Sequence, residues 1–328
     1  MEQRRFSGKG HWYHETQSNH AQTDVLPLVP EAANVDDRFL LDLALPDEIV
    51  AACSGWLTPA RALCHQLFPL SIPVNRLHTL SAYDRLSTAL TVAQACGVQR
   101  LCNHYAALLA PLPGPDSSRE SNRRLAQITQ YARQLASSPD VIDDKARNQL
   151  DEVGLSTYDI VVINQIIGFI GFQARVVAIF QALLGHRVRW LRGHHIQPDT
   201  LPASHDAWMP LLPVVELRYA NAHQLESLSR WQSEPALEAL TPVLCHEPTL
   251  LDLTGEILLN SRAETPQTSP ALSAAVELLT RSPDRFSAAQ FTPLTDQGLQ
   301  GEYAITLLTQ SAFDGWLNRL KVAFGKEE

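Results

Sequence analysis

An all-α fold is predicted by three features of the chain. Alanine and leucine dominate over clusters of valine and isoleucine, apolar residues recur at intervals of three and four over most of the length, and two distant segments match without gaps. Apolar residues make up 45 % of the 328, enough for a large core without staples, and the length suggests two domains. An all-β fold is the least compatible with this composition.

The elements follow in order. Residues 1–35 are polar, rich in histidine and interrupted by Pro27 and Pro30, which reads as an extended N-terminal arm. From Asp36 helical spacing runs to Leu57, restarts after Pro59 with Ala60 to Phe68, and restarts again at Ser81, where Ser81 is a fitting N-cap with Asp84 at the third helical position. Pro111, Pro113, Gly114 and Pro115 break the pattern. Asp116-Ser117-Ser118, followed by Arg119 and Glu120, opens an amphipathic helix ending near Ser137, and a short helix after Pro139 leads to Gly154. The most apolar stretch, Ile160 to Leu184, holds Asn164, Gln165, Gln173 and Arg175, each costly in hydrocarbon, so it reads as a buried core helix and not a membrane span. Pro198, Pro202, Pro210 and Pro213 mark residues 186–214 as an interdomain linker between a first domain, 36–185, and a second, 215–328.

The matching segments are GLSTYDIVVINQIIGFIGFQARVVAIF from Gly154 and GLQGEYAITLLTQSAFDGWLNRLKVAF from Gly298. Gly154 pairs with Gly298, Phe169 with Phe313, Gly171 with Gly315, Phe172 with Trp316, Arg175 with Arg319 and Phe180 with Phe324. Shared glycine and arginine positions are not required by amphipathicity, which makes two diverged copies of one helical unit the simplest account. In each copy Gly-Leu followed by Ser or Gln opens a helix, glycine admits another backbone, and the buried arginine needs a carboxylate or carbonyl, tying the helix to its neighbour.

Composition excludes several function classes. A net charge of −9 with no basic block beyond Arg4-Arg5 and Arg123-Arg124 argues against nucleic acid. Five cysteines at irregular spacing fit a reducing compartment, and the N-terminus has no apolar signal core, so a cytoplasmic protein is expected. Gly-rich phosphate loops and the G-x-S-x-G elbow are absent, so no cofactor is expected. His11, His14, Glu15 and His20, and again His194-His195 with His205, have the density of a metal site. Without HExxH or nearby cysteine ligands, however, no metal is expected either, and the aromatic arm suits packing onto a neighbouring subunit.

The repeated element, with Phe313, Asn318, Arg319, Leu320 and Gly325 at its end, resembles the closing helix of the AhpD-like (carboxymuconolactone decarboxylase) superfamily, although the first copy carries Ala174 where asparagine is usual. Asp84 to Cys96, DRLSTALTVAQAC, is similar to that superfamily's catalytic helix, and the doubling with the opening HWYHETQ resembles the YciW-like, peroxidase-related group. The resemblance implies an AhpD-like helical bundle, a homodimer or larger assembly, and a thiol reaction in which a first cysteine attacks a peroxide, a second resolves it and an acid and a histidine move protons. In that register Asp84 stands for the acid, Cys96 for the first cysteine, Gln99 for the second and Asn103 for the histidine. The second copy would place Ala271, Pro283, Phe286 and Gln290 there, a chemically silent set, and would lack a counterpart of the helix around Arg119 to Leu135.

The candidate catalytic residues are therefore Cys96, Asp84, His104 beside the expected histidine position, and Cys102. A continuous helix would hold Cys102 about 9 Å from Cys96 along the axis and turned away, so only a break at Gly97 would bring the two together. Each has a plain alternative: a small buried hydrophobe for Cys96, a satisfied core histidine for His104 and a first-turn helix acid for Asp84. Two functions follow from the resemblance. One is a peroxidase-related oxidoreductase using a single cysteine on a hydroperoxide or small sulfur compound. The other is a catalytically silent protein that binds a small molecule or partner in the space left by the missing dithiol.

Overall fold

A computed structural model describes residues 28–187, 193–197, 208–263, 269–299 and 301–327. It is 68 % helix and 2 % strand, as expected of an all-α chain. The helices are α1 (Asp47–Leu67), α2 (Ala82–Cys96), α3 (Gln99–Leu109), α4 (Arg119–Ser137), α5 (Asp144–Glu152) and α6 (Thr157–Leu183), then α7 (Ala222–Trp231), α8 (Thr241–Leu244), α9 (Pro248–Ser261), α10 (Pro270–Arg281), α11 (Phe291–Asp296) and α12 (Gly301–Phe324). Two three-residue strands, β1 (Trp208–Pro210) and β2 (Gly325–Glu327), pair antiparallel with Met209 opposite Lys326.

Local chemistry sets most boundaries. Ser81 and Asp84 form a reciprocal capping box at the start of α2, and Ser156 and Asp159 form another at α6. Ser118 caps α4. The expected interruption at Pro59 does not occur. α1 runs straight through it because Pro59 is buried with Trp56, Leu57, Ala60 and Leu63, and packing outweighs the ~3 kcal/mol cost of an interior proline.

α6 is buried along nearly its whole length. It alone among the described helices has the length and apolar composition to cross a membrane, and here it lies inside the fold. α12, α2 and α4 pack around it, while α1 packs on α9. The two regions expected to be separate domains thus share one core, in which Phe172 meets Phe313 and Trp316 with ring centroids 5.7 and 5.8 Å apart. Nor is the whole of 186–214 an external linker. Ile196 is fully buried, its N–H donates to Arg281 O, and the next N–H, of Gln197, donates to Ser137 O.

The helical path α4–α5–α6 has the same local conformation as α10–α11–α12. Ser138 and Ser282 both leave their helices at φ −150° with ψ of 68° and 65°. Each enters a short 3-10 turn at Pro-Asp, Pro139-Asp140 and Pro283-Asp284. Gly154 and Gly298 then turn with φ of 85° and 78°, and Leu155 and Leu299 donate to Leu150 O and Leu294 O. The offset that pairs Gly154 with Gly298 holds through all of these positions, so α10 stands where α4 stands. In this register α10, and not a gap, is opposite α4, and Pro283 is opposite Pro139 where the sequence alignment of the copies set it opposite Cys96. Ser156 caps α6 as expected, while Gln300 lies outside the described residues.

The paired arginines bridge the halves crosswise. Arg175 folds back onto Gly171 O (2.8 Å) and reaches Thr280 O at the end of α10 (2.8 Å). Arg319 folds back onto Gly315 O (2.8 Å) and reaches Ala136 O at the end of α4 (3.1 Å). These four bonds all go to carbonyls, which suits the apolar setting. What the glycines admit is a side chain and not a backbone. A Cβ on Gly171 would stand 3.3 Å from the Arg175 guanidinium, and one on Gly168 would stand 1.9 Å from the Trp316 ring.

Candidate functional site

Cys96 is the last residue of α2. Gly97 follows in the left-handed region, φ 71°, and α3 begins two residues on, so the helix does break at Gly97. This corner is covered. The N–H of His194 donates to Ala95 O at 2.9 Å, and a Cβ on Gly97 would lie 2.7 Å from Gly193 N and 2.9 Å from Asp284 Cβ, so only glycine fits there. Beneath it the Cys96 thiol is 1 % exposed. Burial pushes its pKa up, and the nearby Arg175 and Arg319 charges pull it down by less. Cys102 is fully buried and its thiol pKa is also pushed up, by burial first and by Cys96 second. The five cysteines are free and buried.

The other two candidates are each engaged by neighbours of their own. Asp84 lies at the opposite end of α2, about 18 Å along the axis for twelve residues. There its carboxylate accepts from the Ser81 N–H and hydroxyl, both at 3.0 Å, with Arg124 at 3.5 Å. That is the helix-capping role, and it leaves the acid out of reach of the thiol. His104 is buried, with Nδ1 2.7 Å from Ala32 O. A carbonyl accepts only from Nδ1–H, so Nε2 carries no proton in the neutral ring, and it has no hydrogen-bond partner. Burial lowers the His104 pKa, favouring that neutral form. The structure thus buries Cys96 and Cys102 on either side of the Gly97 break, holds Asp84 in the cap at the far end of α2, and ties His104 to Ala32 O.

Beside the corner opens a pocket of about 400 Å³. Gly97, Gln99, Arg100 and Asn103 form one wall, Gln181, His186 and Arg187 at the end of α6 a second, and Pro283, Asp284 and Phe286 a third. Gln99 and Asn103, which stand where the resemblance puts the second cysteine and the histidine, both face this space. Cys96 is not among its lining residues. The start of α3 has no side-chain cap and no acid in its first turn. Arg100 gives one amino group to Leu41 O at 2.7 Å. Asp284 accepts the Gly193 N–H, and burial raises its pKa. Sequence reasoning passed over Asp284, Arg100 and Arg187. The readable signal was the Ser-Pro-Asp at both Ser138 and Ser282, which aligns the halves further upstream and carries Asp284 to the Cys96 corner.

The equivalent end of α12 is filled. By the same offset Val322 and Gly325 answer to Ala178 and Gln181 of the pocket wall. There Arg147 donates to Val322 O (2.8 Å) and Gly325 O (3.3 Å), Trp208 Nε1 donates to Lys321 O (3.0 Å), and the Trp208 ring sits 2.2 Å from where a Gly325 Cβ would be.

Among the described residues no three His, Cys, Asp or Glu side chains are grouped to hold a metal ion. His11, His14, Glu15, His20 and His205 lie outside those residues. The chain matches no protein-family model, and no curated protein matches it.

Proposed function

We propose that this is a duplicated, AhpD-like helical protein in which the α2–α3 corner serves as a small-molecule binding pocket and not as a thiol-peroxidase centre. The observation that carries this reading is the exchange at the corner. The pocket wall holds amides, Gln99 and Asn103, while the remaining thiol of Cys96 lies under the Gly193–His194 segment with its pKa raised. Peroxide attack needs an accessible thiolate, and burial opposes both access and ionisation. Duplication is supported by the shared turn conformations and by the crossed Arg175 and Arg319 bonds.

The oxidoreductase reading keeps one specific support, the helix break at Gly97, on which any approach of Cys102 to Cys96 depends. Peroxide consumption by the parent chain and by Cys96→Ser separates the two. The binding reading predicts that both consume hydrogen peroxide and an organic hydroperoxide no faster than buffer. Turnover by the parent that disappears in Cys96→Ser would overturn it.

A further inference from the structure

We infer that the pocket takes a small organic oxyanion that also carries a hydrogen-bond donor, one molecule per chain; this rests on the binding-pocket reading above. Its cationic groups outnumber its acids, since Arg100 and Arg187 line it against the single carboxylate of Asp284. In a chain of net charge −9 this is a local reversal of sign. Arg100 spends Nη1 on Leu41 O, and Arg187, which is exposed, forms no ion pair among the described residues. A guanidinium matches a carboxylate or phosphate with two parallel bonds, so these two are the groups that would take the oxyanion.

Asp284 supplies the acceptor. It takes one N–H from Gly193, and a carboxylate has capacity to accept further donors, so a ligand hydroxyl or ammonium suits it. The amides of Gln99, Asn103 and Gln181 can serve either polarity. About 400 Å³ admits a metabolite of modest size and excludes a folded partner. Single occupancy follows from the asymmetry of the halves, because Arg147 and Trp208 already fill the equivalent end of α12.

Isothermal titration of the full chain with L-malate, L-serine, inorganic phosphate and glycerol tests the proposal. L-malate or L-serine should saturate one site per chain more tightly than phosphate, with glycerol silent. Arg187→Ala, at an exposed position, should weaken that binding about tenfold, the cost of one charged hydrogen-bonding group. Asp284→Asn should narrow the preference over phosphate. Absence of saturable binding by the anionic probes, equal binding by Arg187→Ala, or two sites per chain would overturn the inference. If those results came with a peroxide-inert parent, the ligand class alone would fail; Cys96-dependent peroxide loss would instead remove the reading beneath it.

Discussion

His104 shows how one buried side chain can be chemistry in a sequence and architecture in a fold. Its Nδ1–H holds the Ala32 carbonyl, and burial keeps its pKa below the ordinary histidine value of 6.5. Because the folded pKa is depressed, the stability linked to this group is present above the unfolded value and is lost as pH falls through the folded one. Chemical unfolding of the parent between pH 7.5 and 5 should therefore show a decline that is shallower in His104→Asn; equal slopes would contradict this role. The sequence placed His104 one residue from the expected histidine position, and that residue decides the outcome. A helix turns about 100° per residue, so the neighbour, Asn103, faces the pocket while His104 faces the Pro30–Ala33 turn. Cys96 and Asp84 were legible as helix-end residues, but which end of a fifteen-residue helix meets a cavity depends on chain segments that pack there from elsewhere.

At the scale of elements, each Gly-x-x-x-Arg turn of α6 and α12 works as a clamp on the opposite half. Arg319→Ala would take the side-chain donor from Ala136 O, leave Gly315 O with its helical N–H alone, and should cost about 1–3 kcal/mol in urea unfolding. Arg175→Ala should cost a similar amount through Thr280 O. A loss below about 0.5 kcal/mol for both would show that the clamps are ornamental to the packing. Gly168→Ala drives a methyl into the Trp316 ring and should destabilise by about 1–3 kcal/mol, whereas Gly185→Ala meets no neighbouring atom and bears only its left-handed strain. The helices themselves were readable from spacing and caps, as Ser81, Ser118 and Ser156 show. α1 was read as two pieces because Pro59 is a local signal, and its burial against Trp56 and Leu63 is not.

For the whole molecule, residues of the two regions 36–185 and 215–328 are buried in the same hydrophobic clusters. The gapless match between Gly154 and Gly298 pointed to two like helices, but adjacency of those helices is a tertiary fact that an internal repeat leaves open. A chain built this way should unfold in a single cooperative transition by both near- and far-ultraviolet signals. Trp208→Ala, which empties the blocked end of α12, should lower stability by about 3 kcal/mol. The asymmetry between that blocked end and the open pocket was not legible, because it depends on where residues far along the chain, 193–197 and 208–210, come to rest.

Site-resolved labelling of Cys96 in the native protein, followed by mass spectrometry with a thiol-reactive probe across a denaturant series, tests the central claim most directly. Modification of Cys96 should proceed no faster than global unfolding, in step with Cys102. Rapid, selective modification of Cys96 in the folded chain without denaturant would contradict the account.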